Sequence, residues 1–246
     1  MARTILITND DGMHAPLLLP LIRYCRKFGH VEVVVPKFEQ SGKSQSIEIH
    51  KSFEASQVSL AEDITVWAVD SSPADCVRFA LLGLDLKPDL VISGINRGLN
   101  VGGDILYSGT VGAASEAVNL GTRGLALSTT TGNYDSGEVL SQLDRIFAFL
   151  EEGSLYSFHD LYNVNIPPQP KGLRVTRQGG LYYSDSFPKE GENLYHPTGV
   201  LVWQDSGDDT LDTDATVHGY ITVTPLTIDK TDKAVYRRLT EAAILV

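Results

Sequence analysis

The sequence predicts an α/β protein built on a doubly wound, mostly parallel sheet. Short β-branched runs alternate with segments of helical length through the first part of the chain. These runs are continuously apolar, which is typical of parallel strands that are buried on both faces. Pro16 and Pro73 stand just inside plausible helix starts. In such a sheet, ligands bind beyond the carboxyl ends of the strands, so the polar residues that follow each strand are the candidates for chemistry.

Five strands and four helices are predicted in this first part, in an arrangement of the Rossmann-like kind. The strands are Thr4 to Thr8, Val31 to Val35, Thr65 to Val69, Leu90 to Ser93 and Leu125 to Thr129. The helices are Leu17 to Phe28, Ala74 to Leu84, Val111 to Leu120 and Val139 to Glu151.

The character of the sequence changes at about Tyr162. Strand-like runs there are separated by Gly-, Pro- and Asp-rich segments, and a last helix is predicted at Lys233 to Ala243 with Thr231 as its N-cap. The runs are Leu173 to Arg177, Val200 to Trp203 and Gly219 to Val223. We therefore expect an α/β catalytic core at residues 1–161 and a β-rich extension with a C-terminal helix at residues 162–246, both in one domain.

The composition favours a globular protein that acts on small molecules. The chain has 246 residues, 42% of them hydrophobic and 21% charged, and a formal net charge of −11. This charge disfavours binding to DNA or RNA polymers, although a bound divalent cation could still attract a small anionic substrate. Cys25 and Cys76 have no CxxC spacing and are interpreted as reduced core residues. No signal peptide or apolar run of about 18 residues is present, so a cytoplasmic location without a membrane span is predicted.

The first candidate site is the run Thr8-Asn9-Asp10-Asp11-Gly12, which follows the first strand directly. Neighbouring side chains of a strand point to opposite faces, so two adjacent carboxylates can converge only where the chain turns, as it can at Gly12. A divalent cation would relieve their mutual repulsion. The motif alone is equally compatible with an Asx-rich turn that caps the next helix.

Polar segments follow other strands as well. Phe38 to Ser46 offers hydroxyls and a lysine in a loop, and Ser93 to Asn100 follows the fourth strand. Ser108-Gly109-Thr110 immediately precedes a helix, whose free N–H groups would bind an anion. Each segment has a simpler interpretation as a surface loop or an N-cap. Their common position at strand ends favours a single site.

Six segments in order resemble the SurE, or stationary-phase survival protein, family of metal-dependent nucleotidases. Together they span nearly the whole chain. The segments are Ile5 to Gly12 with Ala15-Pro16, Gln40 to Gly42, Pro73 to Val77, Ser93 to Asn100, Ser108 to Ala114, and Gly219 to Leu226. Lys37, Leu17 and the pair Ser71-Ser72 depart from the family pattern, but none of them is an expected ligand.

The resemblance implies a phosphomonoesterase that hydrolyses nucleoside 5′-monophosphates, with 3′-monophosphates and short polyphosphate as further substrates of the family. It implies one divalent metal ion per subunit, Mn²⁺ or Mg²⁺, held by oxygen atoms of Asp10, Asp11, Ser41 and Asn96. Asp10 and Asp11 would also be catalytic. Asn100, Ser108, Gly109 and Thr110 would hold the substrate phosphate. Family members form homodimers or homotetramers, and the C-terminal region is the expected contact.

Several alternatives stay open. The same anion sites could serve a nucleotide-binding regulatory module without catalysis, whereas a dehydrogenase is disfavoured because no GxGxxG follows the first strand. One aspartate could act as a nucleophile, although we favour attack by water because both carboxylates are committed to the metal. His14 is interpreted as structural and Arg97 as an ion-pair partner of a carboxylate. Asp205 to Asp214 is expected to be a solvated loop, with a further metal site as the alternative.

Overall fold

The computed structural model describes residues 3–132 and 135–242. Nine strands form one sheet in the order β3-β4-β2-β1-β5-β6-β7-β13-β8. The strands are β1 (Arg3–Thr8), β2 (Gly29–Pro36), β3 (Ala55–Ala61), β4 (Ile64–Val69), β5 (Leu90–Arg97), β6 (Arg123–Thr129), β7 (Leu161–Ile166), β8 (Gly172–Val175) and β13 (Tyr220–Pro225). Strands β4, β2, β1, β5, β6 and β7 run parallel, while β3 and β13 are antiparallel to their neighbours β4 and β7. The predicted mostly parallel α/β sheet is confirmed.

Helices cover both faces of the sheet, as the apolar strands require. Ile5 and Ile7 of β1 pack on one face with α1 and α4, whereas Leu6 packs on the other face with α2 and α3. The helices are α1 (Leu18–Cys25), α2 (Pro73–Arg78), α3 (Gly109–Asn119), α4 (Ser136–Glu152), α5 (Asp212–Val217) and α6 (Lys233–Glu241). Cys25 and Cys76 are free and buried, as predicted.

The ends of several elements differ from the prediction. The helix expected to reach Leu84 leaves the α form after Arg78 and continues as a π turn over Phe79–Gly83. The predicted cap Thr231 is wrong, because the Asp232 side chain accepts hydrogen bonds from the N–H groups of the first turn of α6. Ala243, the predicted end of this helix, lies outside the described residues.

The acidic segment Asp205 to Asp214 was wrongly expected to be a solvated loop throughout. Its last part forms the start of α5, and the side chains of Asp212 and Asp214 are buried. Asp212 accepts hydrogen bonds from the N–H groups of Gly102 and Gly179, and Asp214 accepts one from the Trp203 indole. Both carboxylates therefore tie loops together.

The region after residue 161 contributes to the main sheet and also projects from it. Strands β7, β13 and β8 extend the sheet, whereas the others form small antiparallel pairs outside it. These are β9 (Tyr183–Ser186) with β12 (Thr198–Leu201), and β10 (Lys189–Gly191) with β11 (Leu194–Tyr195). Every residue of these four strands is exposed. Among the helices that the structure describes, none has the length and apolar character needed for a membrane crossing.

Candidate active site

The Asp10-Asp11 pair lies in a tight turn at the carboxyl end of the central strand β1. The Asn9 side chain closes this turn, since its Nδ2 donates to the Gly12 carbonyl at 2.9 Å and its Oδ1 accepts from the Gly12 N–H at 3.1 Å. Gly12 has a φ of 86°, a left-handed conformation that glycine adopts without strain. The Asx turn that the sequence suggested is therefore formed, and it is Asn9 that closes it. The Asp10 and Asp11 side chains do not take part in these two bonds.

Asp10 is a buried carboxylate with few compensating contacts. Asp10 is only 4% exposed. Burial raises the pKa of its carboxyl group to about 6, and the nearby charge of Asp11 contributes to the rise. The Thr110 hydroxyl donates to Asp10 Oδ1 and opposes this shift. Burial therefore makes the charged form of Asp10 less favourable than it is in water, and a cation beside the carboxylate would offset this cost.

Asp11 is partly buried beside the end of β5. Burial raises its pKa, while the backbone N–H and the charge of Arg97 lower it. The Arg97 N–H donates to Asp11 Oδ2 at 3.2 Å. Arg97 thus contributes to the site through its backbone and its charge near Asp11. His14 is exposed next to this turn.

The loop after β2 packs against the same turn. The Gln40 N–H donates to the Asp10 carbonyl at 2.7 Å, and a Cβ on Gly12 would lie 2.9 Å from the Phe38 carbonyl carbon. Ser41, the next residue, is therefore held near Asp10. Its hydroxyl donates to Glu39 Oε1 at 2.8 Å, which leaves the lone pairs of the Ser41 oxygen for a ligand.

Asn96 comes from an irregular stretch of β5. The pairing of β5 with β6 shifts register between Ser93 and Asn96, which lets the strand end depart from the regular pleat. Asn96 Nδ2 donates to the Gly98 carbonyl at 2.8 Å. This bond fixes the amide nitrogen, and Asn96 Oδ1 accepts no hydrogen bond from the described residues. The next residue, Arg97, is the one that donates its N–H to Asp11.

These side chains fit a hard divalent cation. Residues 3–132 and 135–242 contain no group of three or more His, Cys, Asp and Glu side chains that could hold a metal. Two carboxylates with a hydroxyl and an amide oxygen are ligands suited to Mg²⁺ or Mn²⁺ rather than to zinc. The raised pKa of Asp10 supports the fit, since a cation would remove the cost of its buried charge.

The amino end of α3 adjoins Asp10. Ser108 is the N-cap and accepts from the Val111 N–H at 3.1 Å, and Gly109 begins the helix. A Cβ on Gly109 would lie 2.9 Å from Asp10 Cβ and 3.2 Å from the Gln40 carbonyl oxygen. Only glycine permits this approach, which brings the N–H groups and positive end of the helix dipole to the carboxylates.

Asn100 lies before α3 rather than at the amino end of that helix. Like the other predicted phosphate ligands it is buried, and its Nδ2 donates to Ser128 Oγ at 2.7 Å. Asn163 and Asn165 of β7 donate to the Asn100 carbonyl at 2.8 and 3.0 Å, and Asn165 Oδ1 accepts from the Asn100 N–H. Sequence reasoning missed this pair. The available signal was two asparagines at alternate positions of an otherwise apolar run, which places both on one face of a strand.

Comparisons with known proteins agree with this fold and identify a family. Residues 5–185 match the family model described as "Survival protein SurE". The "5'-nucleotidase SurE" of Natranaerobius thermophilus is 36% identical over 251 residues, covering 96% of both chains, and that of Herpetosiphon aurantiacus is 38% identical over 249 residues, covering 97% of both. The crystal structure of the SurE protein from Aquifex aeolicus superposes with a TM-score of 0.79 at 32% identity, covering 98% of this chain and 99% of that one. This chain therefore belongs to the SurE family.

Proposed function

We propose that this protein is a metal-dependent 5′-nucleotidase that hydrolyses nucleoside monophosphates to nucleoside and phosphate. The observation that carries the proposal is the buried Asp10 carboxylate, which adjoins both Asp11 and the amino end of α3. A cation would lie beside the negative charges of the carboxylates. A phosphate would lie at the positive amino end of the helix. The shared name of the relatives supports the same reaction.

The proposed roles follow from the placement of each side chain. Asp10, Asp11, Ser41 and Asn96 would hold one Mg²⁺ or Mn²⁺ ion. When bound, this ion would supply a Lewis acid for the phosphoryl group and lower the pKa of a coordinated water. Asp10 and Asp11 would orient the water that attacks phosphorus in line with the departing alkoxide.

The phosphoryl oxygens would be held at the amino end of α3. The Ser108 hydroxyl and the Gly109 N–H would donate to them, and Thr110 would orient Asp10 through its hydroxyl. Asn100 would support this loop through its bond to Ser128, and the second N–H of its amide would donate to the phosphate. The negative charge of the transition state would thus meet preorganised donors.

The first experiment is to measure phosphate release from 5′- and 3′-nucleoside monophosphates, short polyphosphate and an aryl phosphate. Reactions with Mn²⁺, with Mg²⁺ and with EDTA are compared. We expect turnover of 5′-monophosphates that requires a divalent cation and falls at least about a hundredfold in Asp10→Asn and Asp11→Asn. Saturable nucleotide binding without phosphate release under any condition would favour a regulatory module instead.

We also propose that residues 162–246 join subunits into a homodimer or homotetramer in the cytoplasm. Strands β9 to β12 are exposed throughout and carry the apolar side chains Tyr183, Leu194, Tyr195, Val200 and Leu201. Helix α6 buries no residue in the single chain. An exposed apolar surface of this extent is typical of a protein interface, and a second copy of the chain is the simplest partner.

A further inference from the structure

A cleft of about 340 Å³ lies beside the amino end of α3, and among its lining residues only Ser108 has a proposed role so far. One wall is the outer side of α3, with Ser108, Gly112 and Ser115. The other walls are the Ser44-Gln45 loop and the segment from Pro225 to Lys230 that follows β13. Its volume falls within the range of small-molecule sites.

The cleft begins where the phosphate is proposed to bind. Ser108 caps α3 and lines the cleft, while the next residue, Gly109, adjoins Asp10. Ser108 and Ser115 are seven residues apart on the same side of the helix, a separation of about 10 Å at 1.5 Å per residue. A ligand whose phosphate lies at the end of α3 could therefore extend a sugar and a ring system along this wall.

The chemistry of the walls fits an uncharged heterocycle better than a second anion. Leu106 and Ile228 line the cleft and are 60% and 39% exposed, which leaves apolar surface available to a flat ring. The charged residues of the lining are one aspartate and one lysine, Asp229 and Lys230. Their charges cancel, so the lining does not provide the cationic surface that a chain of phosphates requires.

Two glutamine amides supply directional polar groups. Gln45 Nε2 donates to Glu116 Oε2 at 2.7 Å, and Glu116 is a buried residue that is also paired with Arg78. Gln178 Nε2 donates to the Gly102 carbonyl at 2.8 Å. These bonds fix both amides, and each retains an oxygen acceptor and a second N–H. Fixed amides with both functions suit the edge of a nucleobase, which carries donors and acceptors side by side.

We propose that this cleft binds the nucleoside part of the substrate and thereby sets the preference for nucleotides over other phosphate esters. The proposal rests on the proposed nucleotidase function for the position of the phosphate. Apolar contact with Leu106 and Ile228 would hold the base, and Gln45 and Gln178 would contact its polar edge. Short polyphosphate would reach the same reacting centre without occupying the cleft.

The test fills the cleft from two sides with Ile228→Trp and Ser115→Phe. Leu82→Trp is the matched control, because Leu82 is an exposed residue in the turn after α2. For each protein, kcat/KM is measured on a nucleoside 5′-monophosphate, an aryl phosphate and short polyphosphate. Binding of the free nucleoside, which needs neither metal nor catalysis, is measured separately by calorimetry.

We expect the ratio of kcat/KM for the nucleotide to that for the aryl phosphate to fall at least about tenfold in both filled variants and to stay constant in the control. Nucleoside binding should weaken in parallel. Unchanged ratios and unchanged nucleoside binding in both variants would overturn the proposal. If the native protein released no phosphate at all, the nucleotidase function would fail, yet loss of nucleoside binding in the filled variants would still support the cleft.

Discussion

At the scale of single residues, the burial of Asp10 lowers the stability of the folded protein when this carboxylate carries the charge that the proposed activity needs. Its folded pKa of about 6 lies above its ordinary value of 3.8, so the folded state binds the proton more tightly than the unfolded state does. The stability that this preference contributes is complete below about pH 4 and is lost as the pH rises through 6. The carboxylate that the site needs is thus destabilising at neutral pH until a cation binds.

This argument predicts that Asp10→Asn stabilises the metal-free protein. In EDTA at pH 8 we expect its free energy of unfolding to exceed that of the native protein by about 1–3 kcal/mol, and the difference should vanish near pH 4. Urea unfolding at both pH values measures it. The exposed Asp85 provides the control Asp85→Asn, which should change neither value. A less stable Asp10→Asn at pH 8 would contradict the electrostatic account.

The effect of the Thr110 hydroxyl on Asp10 can be tested separately from the burial of Asp10. Its hydroxyl lowers the pKa of Asp10, so Thr110→Val, which keeps the shape of the side chain, should raise that pKa further. We expect the acidic limb of the pH profile of kcat/KM to move to higher pH and the maximum to fall about tenfold. Thr110→Ser keeps the hydroxyl and should restore both. An unshifted limb in Thr110→Val would show that the hydroxyl does not control Asp10.

At the scale of elements, the site depends on how closely α3 approaches β1. A methyl group at Gly109 would meet Asp10 and Gln40 at 2.9 to 3.2 Å, and backbone atoms there have little room to move. Gly109→Ala should therefore lower kcat/KM at least about tenfold, although alanine is the better helix former.

Gly199→Ala on β12 is the matched control for this substitution. A Cβ at Gly199 would meet no atom within 4 Å among the described residues. We expect its activity to equal that of the native protein, as measured by steady-state phosphate release. Similar thermal stability of both variants would show that the loss at Gly109 concerns the site. Full activity of Gly109→Ala would mean that the contact between α3 and β1 is not needed.

The elements that sequence could predict are those with a strong local pattern. The buried runs of β1, β5 and β6 are continuous and apolar, and the turn at Asp10 follows from its position directly after β1. Strand β7 was missed because Asn163 and Asn165 interrupt its apolar run. These asparagines are tolerated in the interior because each donates to the Asn100 carbonyl, a partner more than 60 residues away. The residues next to Asn163 and Asn165 in the chain do not indicate this distant partner.

The acidic segment before β13 was mispredicted for the same reason. Asp212 and Asp214 resemble surface residues in sequence, but distant N–H and indole donors meet their carboxylates. Burial of a charge depends on such partners rather than on its neighbours in the chain. The ligand set of the site likewise came from the family resemblance, since Ser41 and Asn96 are unremarkable polar residues in their own segments.

At the scale of the whole molecule, residues of the extension contact the core next to the proposed site. The N–H of Gly102, in the loop between Asn100 and α3, donates to Asp212 of α5. The segment after β13 also forms one wall of the cleft beside α3. Substitutions in the extension are therefore expected to reach the site when they disturb α5 or this segment, and to leave it intact when they lie on α6.

Helix α6 provides the test of assembly. Val235, Tyr236 and Leu239 are exposed and lie about one turn apart, which gives the helix an apolar side that none of the residues described by the structure covers. We expect the native protein to be a dimer or tetramer by light scattering after size exclusion. Charges in the centre of an apolar interface are strongly unfavourable, so the double substitution Tyr236→Glu and Leu239→Glu should lower the mass toward that of one chain.

Leu82→Glu, at another exposed apolar position, is the control and should keep the native mass. Circular dichroism of both proteins tests whether the fold is retained. Because α6 contributes no side chain to the proposed metal or phosphate site, hydrolysis of an aryl phosphate by the double variant should continue. An unchanged mass would assign the subunit contact to strands β9 to β12, whereas a native protein of monomeric mass would contradict assembly through the extension altogether.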